Sequence, residues 1–500
     1  MTIIVRTLIK CPAEVPMFID READLAEMES RWGTQPQFQL LWGRRRVGKS
    51  ALIRRFARGK DAIVYQAVTG TVADQLSLFT RRILAWRADP FLEAAPLSNW
   101  EQAFAYLERL GRERKAIDEP ILLALDEFQH LAASDAHVIS HLSAFHETVK
   151  HEDLPFYVVI SGSSISFFER KIAIGNVFGR RTFGGLLAPL GYRDAGAFFP
   201  GWPEADRLRA WAVLGGMPYY LEQFDPDKSL GWNIRERMLR RNQVLYNEAE
   251  LLLRDELNEP ATYHSVLAAI AGGATANNQI ATKAGVEPSN LSFYLQNLAR
   301  LHLIERAVPF GVDPRKSKKG QWAITDGYLA FWHAFIRPNA VELEAGRVDE
   351  VWKRIVQPRL DEFVSKPAFE VACRAFVREA IGHDPRLPDT GAVGAWWGSA
   401  PVLIDGERTS ERYEADVVAG APKNVMLVGE AKWSDGVDNH ALGQLRRVVE
   451  KMPGTSESTR LALFSRGGFD DGLRAVAEVE GIHLFDVSDL FDQEMAVRRA

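Results

Sequence analysis

Gly43, Gly48, Lys49 and Ser50 stand in the order G-x-x-x-x-G-K-[ST], within GRRRVGKS at 43–50. Two glycines at this spacing let a loop close around an anion, so that successive backbone N–H groups point at phosphate oxygens. The lysine reaches the terminal phosphates of a nucleoside triphosphate, and the serine hydroxyl faces a divalent cation. The apolar run QFQLLWG (37–43) precedes the motif and SALIRRFARGK follows with helical spacing. That strand-loop-helix context is the one the motif requires, with the positive end of the helix dipole toward the phosphates. ATP contacts are therefore expected at Gly43, Arg44, Arg45, Arg46, Val47, Gly48, Lys49, Ser50 and Ala51.

Further along, ILLALDEFQ ends an apolar run in two acids. Asp126 at the strand end is suited to hold Mg²⁺ together with Ser50, and Glu127 to polarise an attacking water. An acid at 127 predicts hydrolysis and not binding alone. The next apolar run ends VVISGSS. Ser163 is the expected γ-phosphate sensor, with Ser161 and Ser164 as alternatives and a plain Ser/Gly turn as the bland reading. Arg180 and Arg181 precede another short strand. An arginine there, Arg180 first, can reach a neighbouring subunit's γ-phosphate and stabilise developing charge, which implies a homo-oligomer. An ordinary surface pair is the alternative.

A second constellation lies near the C-terminus. Asp416 sits in YEADVVAG, and Glu430 and Lys432 sit in VMLVGEAKW. Strand periodicity of two puts Glu430 and Lys432 on one face. Paired carboxylates can hold Mg²⁺ while a nearby lysine orients or activates water. Asp416 and Glu430 are thus expected as metal ligands, Lys432 as a catalytic lysine and Glu370 as a supporting acid.

These residues need elements to carry them. Strands at 37–43, 62–68, 120–131, 154–164 and 181–190 alternate with helical stretches, the pattern of a parallel doubly wound α/β sheet. From 191 to about 255 the spacing is helical, broken at LGGMPYYLEQF. From 257 to 310, three helical segments and then an extended piece suggest a winged helix. Ser289, Asn290, Ser292 and Gln296 on its third helix are placed to face a major groove. Arg315, Lys316, Lys318 and Lys319 occupy the wing loop, where they would meet phosphates of double-stranded DNA. Such modules also serve as protein contacts or rigid packing units, and the sequence leaves that choice open. A helix-rich stretch and a last α/β block follow. The expected domains are 1–190, 191–256, 257–345 and 346–500.

The formal net charge of −5 over 500 residues argues against a generally basic nucleic-acid binder but not against a local basic patch. Cys11 and Cys373 are the only two cysteines and allow neither a disulfide framework nor zinc spacing. No run reaches the ~20 apolar residues of a membrane span. The expectation is a cytoplasmic protein.

FIDREADL, GRRRVGKS, LDEFQ, SGSS, GRRT and LGGMPYYL, in this order, resemble the archaeal-type ATPase family, a branch of the AAA+/STAND group. The resemblance implies that Phe18, Asp20 and Arg21 flank the adenine. It also implies that Gly215, Gly216 and Pro218 mark a helical lid. No second-sensor arginine is evident in that lid. The C-terminal block, with AWWG, EADVVA and GEAKW, resembles the domain that accompanies this family, and also the restriction-endonuclease-like PD-(D/E)xK fold. The implied activities are an ATP hydrolase, coupled either to Mg²⁺-dependent DNA cleavage or to a switch that binds a protein partner. A nucleotide-dependent transcriptional regulator is a third reading.

Overall fold

The computed structural model describes residues 19, 21–34, 36–169, 182–317, 319–404 and 407–492. Five strands form an all-parallel sheet: β1 (Gln37–Trp42), β2 (Ala62–Gln66), β3 (Ile121–Asp126), β4 (Phe156–Gly162) and β5 (Phe183–Leu186), in the order β2-β3-β4-β1-β5. Every residue of β3 and β4 is buried, because crossover helices cover both faces. The helices Val72–Trp86, Trp100–Lys115 and Val138–His151 supply that cover. The first of these starts at a capping box, in which Thr71 and Asp74 satisfy each other's backbone N–H groups.

Two compact units result. The first holds the described residues through Trp42, then Gly48–Gly162 and 182–186; the second holds Gly43–Val47, 163–169 and everything described from Leu187 onward.

Within the second unit, helices Glu204–Leu214 and Val244–Glu256 precede three helices, Pro260–Ala271, Asn277–Ala284 and Pro288–Arg300. An antiparallel pair, β6 (Ile304–Ala307) and β7 (Gln321–Ile324), closes that segment. Leu291, Leu295 and Leu298 are buried on the third helix, at the spacing that points one helical face inward.

The C-terminal portion runs helix Glu370–Ala380, then β8 (Ala392–Ile404), β9 (Glu407–Ala421) and β10 (Asn424–Lys432) as an antiparallel meander. Helices Asn439–Lys451 and Asp471–Glu480 then cross over to β11 (Arg460–Ser465) and β12 (His483–Asp486), both parallel to β10. Tyr192, Leu208 and Ala212 bury into the same apolar cluster as Phe369, Phe464, Phe485 and Leu490. The helical region after β5 and the last α/β block therefore share one core. No helix among the described residues is long and apolar enough to cross a membrane.

Candidate active site

In the first unit, the helix Lys49–Phe56 begins directly after Gly48, whose φ of 104° is readily available only to glycine. Lys49 is buried at the helix start. Ser50 Oγ donates to Asp126 Oδ2 at 2.5 Å. Ser161 Oγ donates to Asp126 Oδ1 at 2.5 Å, and the backbone N–H of Glu127 donates to the same oxygen at 3.0 Å. Asp126, at the C-terminal end of β3, is thus the hub that three donors hold. Glu127 has left-handed backbone angles, φ 55° and ψ 42°, and its carboxylate accepts from Gln129 Nε2. A non-glycine residue in that region costs about 1–3 kcal/mol, and such strain collects at functional sites.

The serine on Asp126 is Ser161, one of the two alternatives to Ser163. The register explains it: Leu125 pairs with Ile160, so the next residues along the two parallel strands are Asp126 and Ser161. Ser163 groups with the second unit. Arg21 pairs with Asp24 at 3.8 Å at the start of the helix Glu22–Arg31. Phe18, Asp20, Arg180, Arg181 and Lys318 lie outside the described residues.

The loop residues Gly43–Val47 belong to the second unit, and their three arginines all meet acids there. Arg44 forms a buried ion pair with Asp326, whose other oxygen caps the N–H of Leu329 at 2.7 Å. Burial pulls the Arg44 guanidinium toward neutrality, and Asp326 more than offsets it, so its pKa is raised. Arg46 pairs with Glu248 and lies 4.1 Å from the ring centre of Tyr219. Arg45 reaches Asp255 at 2.9 Å on the surface. Glu248 also accepts from the Tyr220 hydroxyl at 3.2 Å. Gly216 lies flush against the backbone of Leu190, where a Cβ would collide with the carbonyl oxygen, and this accounts for its place in the Gly-Gly-x-Pro element. Sequence reasoning missed Glu248, Asp255 and Asp326. The available signal was three consecutive arginines in a loop expected to pack closely, since each buried guanidinium requires a carboxylate.

The C-terminal constellation also assembles. Asp416 is buried on β9, and its Oδ2 accepts from the N–H of Ala431 at 2.8 Å. Lys432 Nζ donates to Glu430 Oε1 at 2.6 Å. Arg374 lies 3.7 Å from Glu370 and donates to the carbonyl of Asp416 at 2.7 Å. Burial, then the Asp416 charge, pushes the Glu370 carboxyl up; burial, then Glu430, does the same to Asp416. Burial opposes the charge on Lys432, but its bond to Glu430 wins and raises its pKa. Among the described residues no three His, Cys, Asp or Glu side chains are gathered as a metal-holding group.

On the helix Pro288–Arg300, Ser289, Asn290, Ser292, Phe293 and Gln296 are exposed, as are Arg315, Lys316 and Lys319 between β6 and β7. The β6–β7 connection is tied to β8: Phe310 N–H donates to Ala395 O at 2.8 Å, and Trp397 Nε1 to Lys319 O at 3.2 Å.

A five-stranded parallel sheet with a phosphate loop after β1 and a carboxylate hub after β3 defines a P-loop ATPase. The chain belongs to the family whose model is described as an ATPase domain predominantly from Archaea, matched over residues 18–224. Residues 332–444 match a second model, of archaeal and bacterial proteins of unknown function. An uncharacterized protein of Methanocaldococcus jannaschii, MJECL04, is 31% identical over 440 residues, which span 87% of this chain and 92% of that protein. Among solved structures, the Walker-type ATPase PABY2304 of Pyrococcus abyssi aligns over 63% of this chain and 95% of its own, at 20% identity and a TM-score of 0.45. The ORC2 protein of Aeropyrum pernix aligns over 68% and 93%, at 17% identity and a TM-score of 0.37.

Proposed function

We propose that this protein is a cytoplasmic ATPase that couples hydrolysis of ATP to the engagement of double-stranded DNA. Ser50 and Asp126 are hard-oxygen donors converging on one point, which fits Mg²⁺. When bound there, Mg²⁺ would neutralise charge building on the phosphates. Lys49 binds the terminal phosphates, Glu127 polarises the attacking water, and Ser161 holds Asp126 in place. Residues 257–345 act as a winged helix, between a lid at 191–256 and a C-terminal domain at 346–500.

The observation that carries the DNA reading is the pairing of an exposed polar helix face, Ser289 to Gln296, with the exposed cations Arg315, Lys316 and Lys319. A packing module would have little reason to leave both facing water. The test is binding of a labelled duplex across a salt series, with and without ATP. Replacing Arg315, Lys316 and Lys319 by Ala should reduce the slope of log affinity on log salt by about 2–3. Lys49→Ala should abolish the ATP dependence. An unchanged slope in the triple variant would exclude the wing as a phosphate contact.

The acid cluster favours a second reading of the C-terminal domain, as a PD-(D/E)xK-type nuclease. Glu370 on a helix, Asp416 on the middle strand of a meander, and Glu430 with Lys432 on its last strand stand together, with the two buried acids held toward their protonated forms. Cleavage of plasmid in Mg²⁺ or Mn²⁺ that disappears in both Asp416→Ala and Lys432→Ala supports this reading. Identical behaviour of wild type and variants removes it.

A further inference from the structure

Arg46 stands in the left-handed region, with φ 72°, inside a loop whose amides must be aimed at phosphates. For an L-residue this conformation is disfavoured, and something must hold it. Two groups do so: Glu248 on the helix Val244–Glu256, which pairs with the guanidinium, and Tyr219, whose ring the guanidinium covers at 4.1 Å. Two residues earlier in the loop, Arg44 is fixed by Asp326, and both side chains are almost wholly buried. Asp326 follows β7 by two residues and starts the helix Gly327–Phe331, where its Oδ1 caps Leu329. Tyr220 and Tyr328, with ring centres 4.8 Å apart, pack beside these pairs. Their hydroxyls are bonded to Glu248 and to the carbonyl of Leu245.

The geometry points to Glu248 and Asp326 as positioning residues for ATP: two acids outside the phosphate loop that set its shape through Arg46 and Arg44. The region 191–256 meets the loop through Glu248 and Asp255. It contributes carboxylates, and the phosphate loop supplies the arginines. Because only Thr325 separates Asp326 from β7, whatever displaces that strand pulls on Arg44. ATP affinity is then tied to the state of the β6–β7 hairpin. This inference rests on the reading of the loop as an ATP site.

Calorimetric binding of the non-hydrolysable analogue AMP-PNP to the full chain tests it. Glu248→Gln keeps the shape and the Tyr220 contact but removes the charge, and Arg46→Ala removes the held side chain. Each should weaken binding about tenfold, the scale set by a left-handed non-glycine residue left without support. Arg46→Gly should bind AMP-PNP more tightly than Arg46→Ala by about three- to tenfold, because glycine takes positive φ unaided. In the Arg46→Gly background, Glu248→Gln should then have no further effect. Asp326→Asn should weaken binding as Arg44→Ala does, and the double variant should be no worse than either single.

A role in fold stability alone would separate the melting temperatures of Arg46→Gly and Arg46→Ala but leave their affinities for AMP-PNP equal. Equal losses in those two variants overturn the proposal. So does wild-type affinity in Glu248→Gln with its circular dichroism intact. If the buried Asp326 variant does not fold, the Arg46 comparison still decides the matter. Lys49→Ala binding AMP-PNP like wild type would instead sink the ATP reading itself.

Discussion

Glu127 combines two features that the sequence shows only in part. Its place after Asp126 was legible, because an apolar run ending in two acids downstream of a phosphate loop has few other uses. Its left-handed backbone was not, since nothing in LDEFQ marks a positive φ. That conformation turns the side chain away from the direction strand alternation would give, and Gln129 holds the carboxylate. Glu127→Gln preserves the shape and the bond to Gln129 but removes the proposed base. It should leave the affinity for ATP within about twofold and lower kcat by about 10²–10⁴-fold. Steady-state phosphate release alongside equilibrium binding checks both halves, and equal turnover in wild type and variant would remove the role. The serine beside Asp126 was legible in kind but not in number. Placing Ser161 needed the register of β3 on β4, which a single strand's sequence does not contain. Glu248 and Asp326 were illegible for the same reason at longer range. They lie 202 and 282 residues from their arginines, so no local pattern links them.

Among the elements, the strands were read more securely than the way the helices pack. Glu430 and Lys432 fall on one face of β10 because periodicity of two is intrinsic to a strand. The helix Pro260–Ala271 shows what periodicity leaves out. His264 on that helix and His333 on the segment Trp332–Ile336 are buried with ring centres 5.4 Å apart, both against Trp332. Among the described residues, neither nitrogen of His333 nor Nδ1 of His264 has a hydrogen-bond partner. Burial, then the neighbouring charge of Arg337, lowers His264 to about 4. Burial, then His264 and Arg337, lowers His333 well below its usual value. The unfolded chain takes up protons at these histidines near pH 6.5, and the folded chain refuses them. Their contribution to stability is therefore complete above about pH 6.5 and is lost as pH falls toward 4, by up to about 1.4 kcal/mol per pH unit for each. The melting temperature of wild type should fall between pH 7 and pH 5. His333→Leu should melt near wild type at pH 7 and show a shallower fall. Parallel curves for the two proteins would mean that the pair does not titrate on unfolding.

At the scale of the molecule, the sequence suggests four blocks by texture, whereas contacts gather everything described after Leu187 into one unit. Texture records secondary structure, and cores are shared across long separations. Tyr192 donates from its hydroxyl to the carbonyl of Leu490, and Asp361 accepts from Arg209, Trp433 and Arg466. The phosphate loop is continuous in the chain with β1, yet Gly43–Val47 take their partners from the second unit. On the proposal that these acids shape the loop, a ligand that orders it is felt at Glu248, Asp255 and Asp326. Binding only to the folded form stabilises it by about 2.7 kcal/mol when the free ligand is a hundredfold above its Kd. With AMP-PNP at that level, backbone amides of the helix Val244–Glu256 and of Leu329 should exchange with deuterium up to about a hundredfold more slowly wherever exchange requires opening of the unit. Lys49→Ala should show no slowing. If protection in wild type stops at the loop and at the helix Lys49–Phe56, then ATP is bound without any signal passing to the region that bears the proposed DNA surface, and hydrolysis has no route to drive it.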